Sequence, residues 1–350
     1  MERETTSAVE LALKRLATGN RLGQELAAEA FGQLMRGEAT PAQTGGLLTG
    51  LRVRGEVAED VAGAVLALRD AMVSVQVVDQ AHLIDTCGTG GGTVSTFNIS
   101  TAAALVAAGA GAVVAKHGNR SYTSKCGSAD VLEALGVEIT VDADQGANLL
   151  TRVGMAFLFA PAFHPAMRFV APIRREIGIP TIMNLIGPLA NPAMVRKQVV
   201  GVADPDRGQL LADVLCRLGA EHALVVHGSV GMDEIAPIGT TEVWEVRVGK
   251  VDSWTLDPAA YGLAVEDVAA LAGGMPDENA ERVEKLLAQP DEDPEGRAAV
   301  ILNAGAALYV SGLVADVAEG FATADSTLRD GSALGVLDKL RRETAASTSE

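Results

Sequence analysis

Two clusters of small and polar residues lie between positions 85 and 136, each where an apolar run gives way to a helix-like pattern. The first is Gly88-Thr89-Gly90-Gly91-Gly92, followed by Ser95, Thr96, Asn98, Ser100 and Thr101. Glycines let backbone amides approach an anion closely and adopt positive φ. Asn98, Ser100 and Thr101 stand at the entrance to a helix read over 101–109, where free N–H groups and the dipole favour negative charge. Thr89, Ser95 and Thr96 add hydroxyls, so the natural guest is a phosphate or pyrophosphate. A P-loop is excluded because no lysine lies between Gly88 and Ala115. A dinucleotide fingerprint fails too, since Thr93 breaks the glycine pattern and 109–116 brings no acid for a ribose.

The second cluster is Lys116-His117-Gly118-Asn119-Arg120-Ser121, continuing through Ser124, Lys125, Gly127 and Ser128. After an apolar strand read over 112–115, these side chains are expected on the loop at the strand's end. Lys116 then offers a point charge to phosphate and Asn119 and Ser121 neutral donors, while Arg120 forks onto a carboxylate or braces the loop. Asp130 reads as a cap of the following helix rather than an acid catalyst. Further on, His164 has either a packing role or a direct one near neutral pH. Arg174 and Arg175, next to Glu176, suggest capture of a carboxylate by at least one of them. Adjacent Asp233 and Glu234, on a loop after an apolar run, suit Mg²⁺, which keeps several waters and bridges to substrate phosphates; a solvated acidic turn is the plainer alternative.

The elements that must position these groups change character along the chain. Residues 1–78 read as four helices without strands, with Thr40-Pro41 opening one and Gly37 and Gly55 as breaks. From position 79, apolar runs at 82–84, 112–115, 137–141, 156–159, 199–202 and 223–227 read as strands. Helical patterns at 129–135, 144–153 and 208–218 separate most of them, which indicates a largely parallel sheet covered on both faces, with ligands at the strands' carboxyl ends. Residues 172–191, rich in Pro and Gly, break the rhythm and are expected to cross back to the helices as a hinge. An antiparallel hairpin turning at Gly249-Lys250 follows, then an apolar helix over 303–314 and a frayed tail after Arg342.

A chain of 350 residues, 48% hydrophobic but 3% aromatic, is long enough for a large aliphatic core plus a smaller domain. A formal net charge of −17 argues against a nucleic-acid surface. Cations nonetheless gather between Lys116 and Lys197, including Arg120, Arg152 and Arg196, and read as a local site for a small anion. The three cysteines, Cys87, Cys126 and Cys216, lack paired or zinc-ligand spacing, so reduced thiols are expected. Neither a signal-peptide core nor a membrane-length apolar run is read in the sequence, and the expectation is a cytoplasmic protein without membrane or nucleic-acid partners.

Four ordered segments, GTGGGTVSTFNIST, KHGNRSYTSKCGSADVLEALG, FHPAMRFVAPIRREIGIPTIMNLIGPLANP and GMDEI, resemble the anthranilate phosphoribosyltransferase family of tryptophan biosynthesis. The resemblance extends through LMRGEATPAQTGGLLTGLRVRGE and covers nearly the whole chain. It implies an α/β fold of the nucleoside phosphorylase/phosphoribosyltransferase type, with a mainly parallel central sheet. The domains would be a small N-terminal helical one, 1–78 joined by part of 172–196, and a large α/β donor-binding one, 79–171 and 197–345. It implies a homodimer through the helical domains, with Mg²⁺, phosphoribosyl pyrophosphate and anthranilate as cofactor and substrates.

By matching motif, Gly88, Thr89, Gly90, Gly91, Thr96, Asn98, Ser100, Thr101, Lys116 and Ser128 would bind the donor. Gly88, His117, Asn119, His164, Arg174 and Gly187 would line the anthranilate path. Ser100, Asp233 and Glu234 would hold metal, and no catalytic base is assigned. The sequence departs from the family's usual pattern at Gly92 and Val230, where acids are common, and at Cys126, where serine is common; these positions bear on donor affinity and metal number. The rivals are a pyrimidine nucleoside phosphorylase-like enzyme, which usually carries an extra C-terminal domain, and a non-enzymatic nucleic-acid-binding relative, which would need a basic groove.

Overall fold

The computed structural model describes residues 6–121 and 125–347; Ser124 of the second cluster lies outside the described residues. The chain opens with four helices, α1 (Ala8–Ala17), α2 (Gln24–Met35), α3 (Pro41–Arg54) and α4 (Ala58–Asp70). Local signals set their limits. Ser7 caps α1, and Thr40 and Gln43 form a reciprocal capping box at the start of α3 with proline in its first turn. Gly37 and Gly55, at φ 73° and 90°, end α2 and α3. Leu34, Leu47, Leu48, Leu51, Val61 and Val65 close the bundle's interior.

Strands and helices then alternate through β1 (Leu83–Gly88), α5 (Ile99–Gly109), β2 (Val113–Gly118), α6 (Ser128–Ala134), α7 (Ala143–Arg152), β3 (Met155–Phe159) and the one-turn α8 (Ala160–Phe163). After α9 (Ala171–Ile177) and α10 (Ile182–Ile186) the sheet resumes with β4 (Lys197–Gly201), α11 (Gly208–Arg217) and β5 (His222–Gly228). It ends in the hairpin β6 (Thr241–Arg247) and β7 (Lys250–Leu256). Helices α12 (Pro276–Ala288), α13 (Pro294–Ser311), α14 (Val317–Arg329) and α15 (Ser332–Ser347) complete the chain.

Among the described residues the sheet has seven strands in the order β3-β2-β1-β4-β5-β6-β7, the first five parallel and the last two antiparallel. One face is covered by α5, α13 and α15, whose alanine-rich surfaces pack closely on the strands. The other meets α11 and, continuous with it, the interior of the helical bundle. Helices α9 and α10 leave the sheet and pack on α3 and α4, burying Ile182, Met183, Ile186 and Leu189 in the bundle's core. Arg69 of α4 donates twice to the Leu189 carbonyl, at 3.0 and 2.7 Å. An ion pair of 2.8 Å between half-buried Arg207 and enclosed Glu56 also ties the bundle to the loop after β4.

Four sequence expectations are corrected. Residues 137–141 bury Val137, Ile139 and Val141 alternately, as a strand would, yet form no strand; the Glu138 N–H goes to Thr344 of α15 rather than to a sheet partner. Alternation reports which side chains are buried, not which backbone is paired. The tail beyond Arg342 is helical as far as it is described: α15 runs to Ser347, and buried Thr344 accepts the Glu138 N–H at 3.2 Å, while 348–350 lie outside the described residues. The apolar helix expected at 303–314 begins nine residues earlier as α13, where Asp293 caps Gly296. The hairpin turns at Val248-Gly249, both at positive φ (41° and 81°), rather than at Gly249-Lys250.

Candidate functional site

The ends of the parallel strands β1 and β4 meet in a notch made of glycine. A Cβ on Gly201 would stand 1.6 Å from the Asp233 carbonyl oxygen, and one on Gly88 2.7 Å from Asp233 Oδ2, so the acidic loop can enter only because both positions lack side chains. Thr89 N–H donates to Gly201 O at 2.9 Å and fixes the start of the glycine loop. Gly90 and Gly91 turn through φ 68° and 84°, which aims the Gly90 amide at Asp233 Oδ2, 2.9 Å away. At the mouth of α5, Glu234 Oε1 accepts the Ser100 N–H at 3.2 Å and Oε2 accepts from the Thr96 hydroxyl at 3.3 Å. The two carboxylates therefore rest on donors of the kind a phosphate would take. Burial and the neighbouring Asp233 push the Glu234 carboxyl up to about 8, and burial also raises Asp233.

Lys116 is not on a loop, contrary to expectation. β2 runs on to Gly118, so Lys116 sits inside the strand, 1% exposed, under the glycine loop. Its ammonium donates to Thr86 O at 2.7 Å and to the Ser100 hydroxyl at 3.3 Å, and so reaches the anion cradle through Ser100. Burial lowers its pKa, opposed by Asp85 and Glu234. Because side chains alternate along a strand, His117 points to the opposite face.

There His117 Nε2 lies 3.2 Å from His164 Nε2, both rings buried. Burial drives His117 down to about 3 and His164 to about 4, against the carbonyls of Gly187 and Ala190 that favour protonation, so both are neutral at physiological pH. His117, His164 and Gly187 are thus brought together, from β2, the residue after α8 and the crossing segment. Arg174 is half-buried on the last turn of α9, on that same segment. Asn119 follows β2, where its carbonyl accepts from Ser128 Oγ at 3.3 Å. Thr101 is enclosed in the first turn of α5.

Other cations serve the fold instead of one anion site, which corrects the reading of the 116–197 cluster. Arg120 pairs with Glu133 and Asp130, Arg152 with Glu343 and Arg196 with Glu221, while Lys197 donates to Ala81 and Ser311 carbonyls. Asp130 caps the start of α6, as read from the sequence, accepting from Gly127 N–H at 2.8 Å, and also accepts from Ser121 N–H at 3.2 Å.

Sequence reasoning passed over Asp85 and Asn191. Asp85, fully enclosed in β1, accepts from Asn191 Nδ2 at 2.8 Å and from the His117 N–H at 3.2 Å; Asn191 also donates to Ala115 O at 2.8 Å. One carboxylate thereby joins β1, β2 and the crossing segment. Burial pushes it up to about 6, against Asn191 and Lys116. A charged residue inside the apolar run Leu83-Ile84-Asp85 was the available signal.

Among the described residues no three of His, Cys, Asp and Glu gather as a metal cluster. Asp233, Glu234 and the Ser100 hydroxyl nonetheless supply oxygen ligands only, two carboxyl groups and a hydroxyl. That set fits Mg²⁺, which commonly takes one or two protein carboxylates and completes its shell with water and substrate phosphate.

A helical bundle joined to a parallel sheet with an anion cradle at its strand ends defines the class, a glycosyltransferase. The family description "Glycosyl transferase family, helical bundle domain" matches residues 11–72, and "Glycosyl transferase family, a/b domain" matches 80–334. Within that class the chain belongs to the anthranilate phosphoribosyltransferase family. The enzyme of that name from Laribacter hongkongensis is 46% identical over 96% of this chain and 98% of its own length. The crystal structure of the Thermus thermophilus enzyme superposes with a TM-score of 0.90 at 42% identity, covering 95% of this chain and 99% of that one. The Saccharomyces cerevisiae enzyme in complex with PRPP and Mg gives 0.88 at 28% identity over 97% and 98% of the two chains. Its complex with 4-fluoroanthranilate gives 0.86 at 26% over 98% and 99%. These relatives agree with the transferase reading and not with the phosphorylase or nucleic-acid-binding rivals.

Proposed function

We infer that this chain transfers the 5-phosphoribosyl group of phosphoribosyl pyrophosphate to the amine of anthranilate, giving N-(5-phosphoribosyl)anthranilate and pyrophosphate, the second step of tryptophan biosynthesis from chorismate. The observation that carries the reading is the cradle in which Gly90 N–H, Ser100 N–H and the Thr96 hydroxyl converge on the Asp233-Glu234 pair. Donor phosphates would take these amides as the carboxylates turn toward a cation. Bound at Asp233, Glu234 and Ser100, Mg²⁺ would neutralise charge on the departing pyrophosphate.

Lys116 supports the same charge from below through Ser100, and Ser128, beside Asn119, contributes from the second loop. Positive character builds at the ribose C1 as the bond to pyrophosphate breaks, and the anthranilate nitrogen closes on it and then loses its extra proton to the released pyrophosphate. The neutral His117–His164 pair is a weak base, which suits an aromatic amine that needs no deprotonation before attack. Rate enhancement would come from positioning and electrostatics. Arg174, with Gly187, Asn119 and Gly88, would receive the acceptor and its carboxylate.

Residues 172–191 are the proposed hinge. A core continuous between bundle and sheet favours small sliding movements over a wide swing. The protein is further proposed to be a cytoplasmic homodimer through its helical domains; no described helix is long and apolar enough to cross a membrane. Anthranilate fluorescence should fall when the protein is mixed with phosphoribosyl pyrophosphate and Mg²⁺. Constant fluorescence together with phosphorolysis of thymidine or uridine would overturn the assignment.

A further inference from the structure

A chain of side-chain amides runs between the two anion loops. Asn279, 3% exposed in the first turns of α12, accepts the Gly274 N–H on Oδ1 at 2.7 Å and donates from Nδ2 to Asn98 Oδ1 at 2.9 Å. Asn98 in turn donates from Nδ2 to the Cys126 carbonyl at 3.3 Å. Amide oxygen and nitrogen are ordinarily interchangeable in such networks, but here both ends are backbone. Gly274 N–H can only donate and Cys126 C=O can only accept, so the direction of every bond between them is fixed. Asn98 is the residue before α5, yet its side chain makes no cap hydrogen bond to that helix and serves this link instead.

The segment around Asn279 grips the first loop in other ways. Phe97 N–H donates to Leu271 O at 3.0 Å and Gly273 N–H to Ser95 O at 3.1 Å, while the Arg282 guanidinium lies 4.2 Å over the Phe97 ring. A Cβ on Gly273 would come within 2.2 Å of the Thr96 carbonyl oxygen. Two backbones this close transmit the position of α12 directly to the loop that carries Thr96, Asn98 and Ser100.

We propose that Asn279, outside every motif read in the sequence, is a positioning residue for the donor half of the site, setting the spacing between the glycine loop and the Cys126–Ser128 loop through Asn98. The proposal rests on the reading of that half as a pyrophosphate site. It leaves the acceptor half untouched, since no member of the amide chain belongs to the histidine wall.

Asn279→Asp tests it. Aspartate keeps the Gly274 bond but cannot donate to Asn98, whose amide must turn over and abandon the Cys126 carbonyl. Calorimetric binding of inorganic pyrophosphate in Mg²⁺ should weaken about five- to tenfold, as for loss of one or two buried hydrogen bonds. In turnover, KM for phosphoribosyl pyrophosphate should rise to match while KM for anthranilate stays within about twofold. Asn98→Ala and Asn279→Ala should each weaken pyrophosphate, and the double variant should be no weaker than the worse single one. Where Asn279→Asp does not fold, Asn279→Ser is measured in the same way. Wild-type pyrophosphate affinity in folded variants, equal losses for both substrates, or multiplying losses in the double variant would overturn the proposal. Loss of pyrophosphate affinity in a protein that turns over no anthranilate would leave it standing and remove the acceptor assignment.

Discussion

The two halves of the site are built by opposite means. The proposed donor half is made largely of backbone: amides of Gly90 and Ser100, glycines that admit Asp233, and a buried ammonium acting through Ser100. The proposed acceptor half is made of side chains, a pair of neutral histidines facing Gly187 on a segment borrowed from the bundle's core. A highly charged group that is the same in every turnover can be held by rigid main-chain dipoles aimed in advance. A flat, weakly polar amine instead requires a shaped wall whose parts come from different elements. If this division holds, damage to the first half should fall on donor binding and chemistry, and damage to the second on acceptor KM.

The sharpest break should come at the carboxylate pair. Asp233→Asn together with Glu234→Gln keeps the shape of the cradle but removes both charges, and kcat/KM is expected to drop by roughly 100-fold or more, in the range found when transition-state electrostatics are removed. Binding of inorganic pyrophosphate should change in opposite directions with and without Mg²⁺. Without the cation the neutral variant should bind more tightly than wild type, because the negative charge left on the pair, with Glu234 raised to about 8, no longer holds the Gly90 and Ser100 amides. With the cation it should bind less tightly. Calorimetry under both conditions checks this, and losses of equal size under both would mean that the carboxylates do not compete with the ligand.

A smaller and more diagnostic effect is expected from comparing Lys116→Met with Arg174→Ala. Lys116→Met should raise the donor KM about tenfold and lower stability, since enclosed Asp85 loses its cationic neighbour. Arg174→Ala should raise the anthranilate KM by a similar factor with little change in the donor KM. Steady-state kinetics with each substrate varied in turn decides the matter, and equal shifts in both KM values would contradict the division.

The halves also differ in how far the sequence reveals them. The donor half was legible because its means are local: glycines, hydroxyls and a helix start lie within about a dozen residues, and the adjacent acids of Asp233-Glu234 announce themselves. Local reading failed where strand length decided the outcome. A lysine after Val-Val-Ala reads as the end of a strand and so falls on a loop, whereas pairing with β3 carries β2 on to Gly118. The acceptor wall could be drawn only from resemblance, since nothing in the composition of 172–191 says that His117, His164 and Gly187 meet. Asn279 and Asn191 were invisible for the same reason: a buried amide declares its role through partners 181 and 106 residues away.

Asp85 lies where the halves join, and its titration gives the finest test of the comparison. Its folded pKa of about 6 is raised from the usual aspartate value because burial disfavours the charged form more than Asn191, Lys116 and the His117 N–H favour it. The sign follows: a group whose pKa rises on folding contributes most to stability when protonated. That contribution is present below about pH 4 and is lost as pH climbs through 6. The stability of wild type relative to Asp85→Asn should therefore decline between about pH 4 and pH 7, by on the order of 3 kcal/mol at most, and stay level above. Urea denaturation of both proteins across that range measures the difference curve. A flat curve would mean that Asp85 ionises as freely in the folded protein as in the unfolded one. A difference that instead grew in favour of wild type with rising pH would mean that the ammonium of Lys116 dominates over burial. The junction would then be held by charge pairing rather than by enclosed hydrogen bonds.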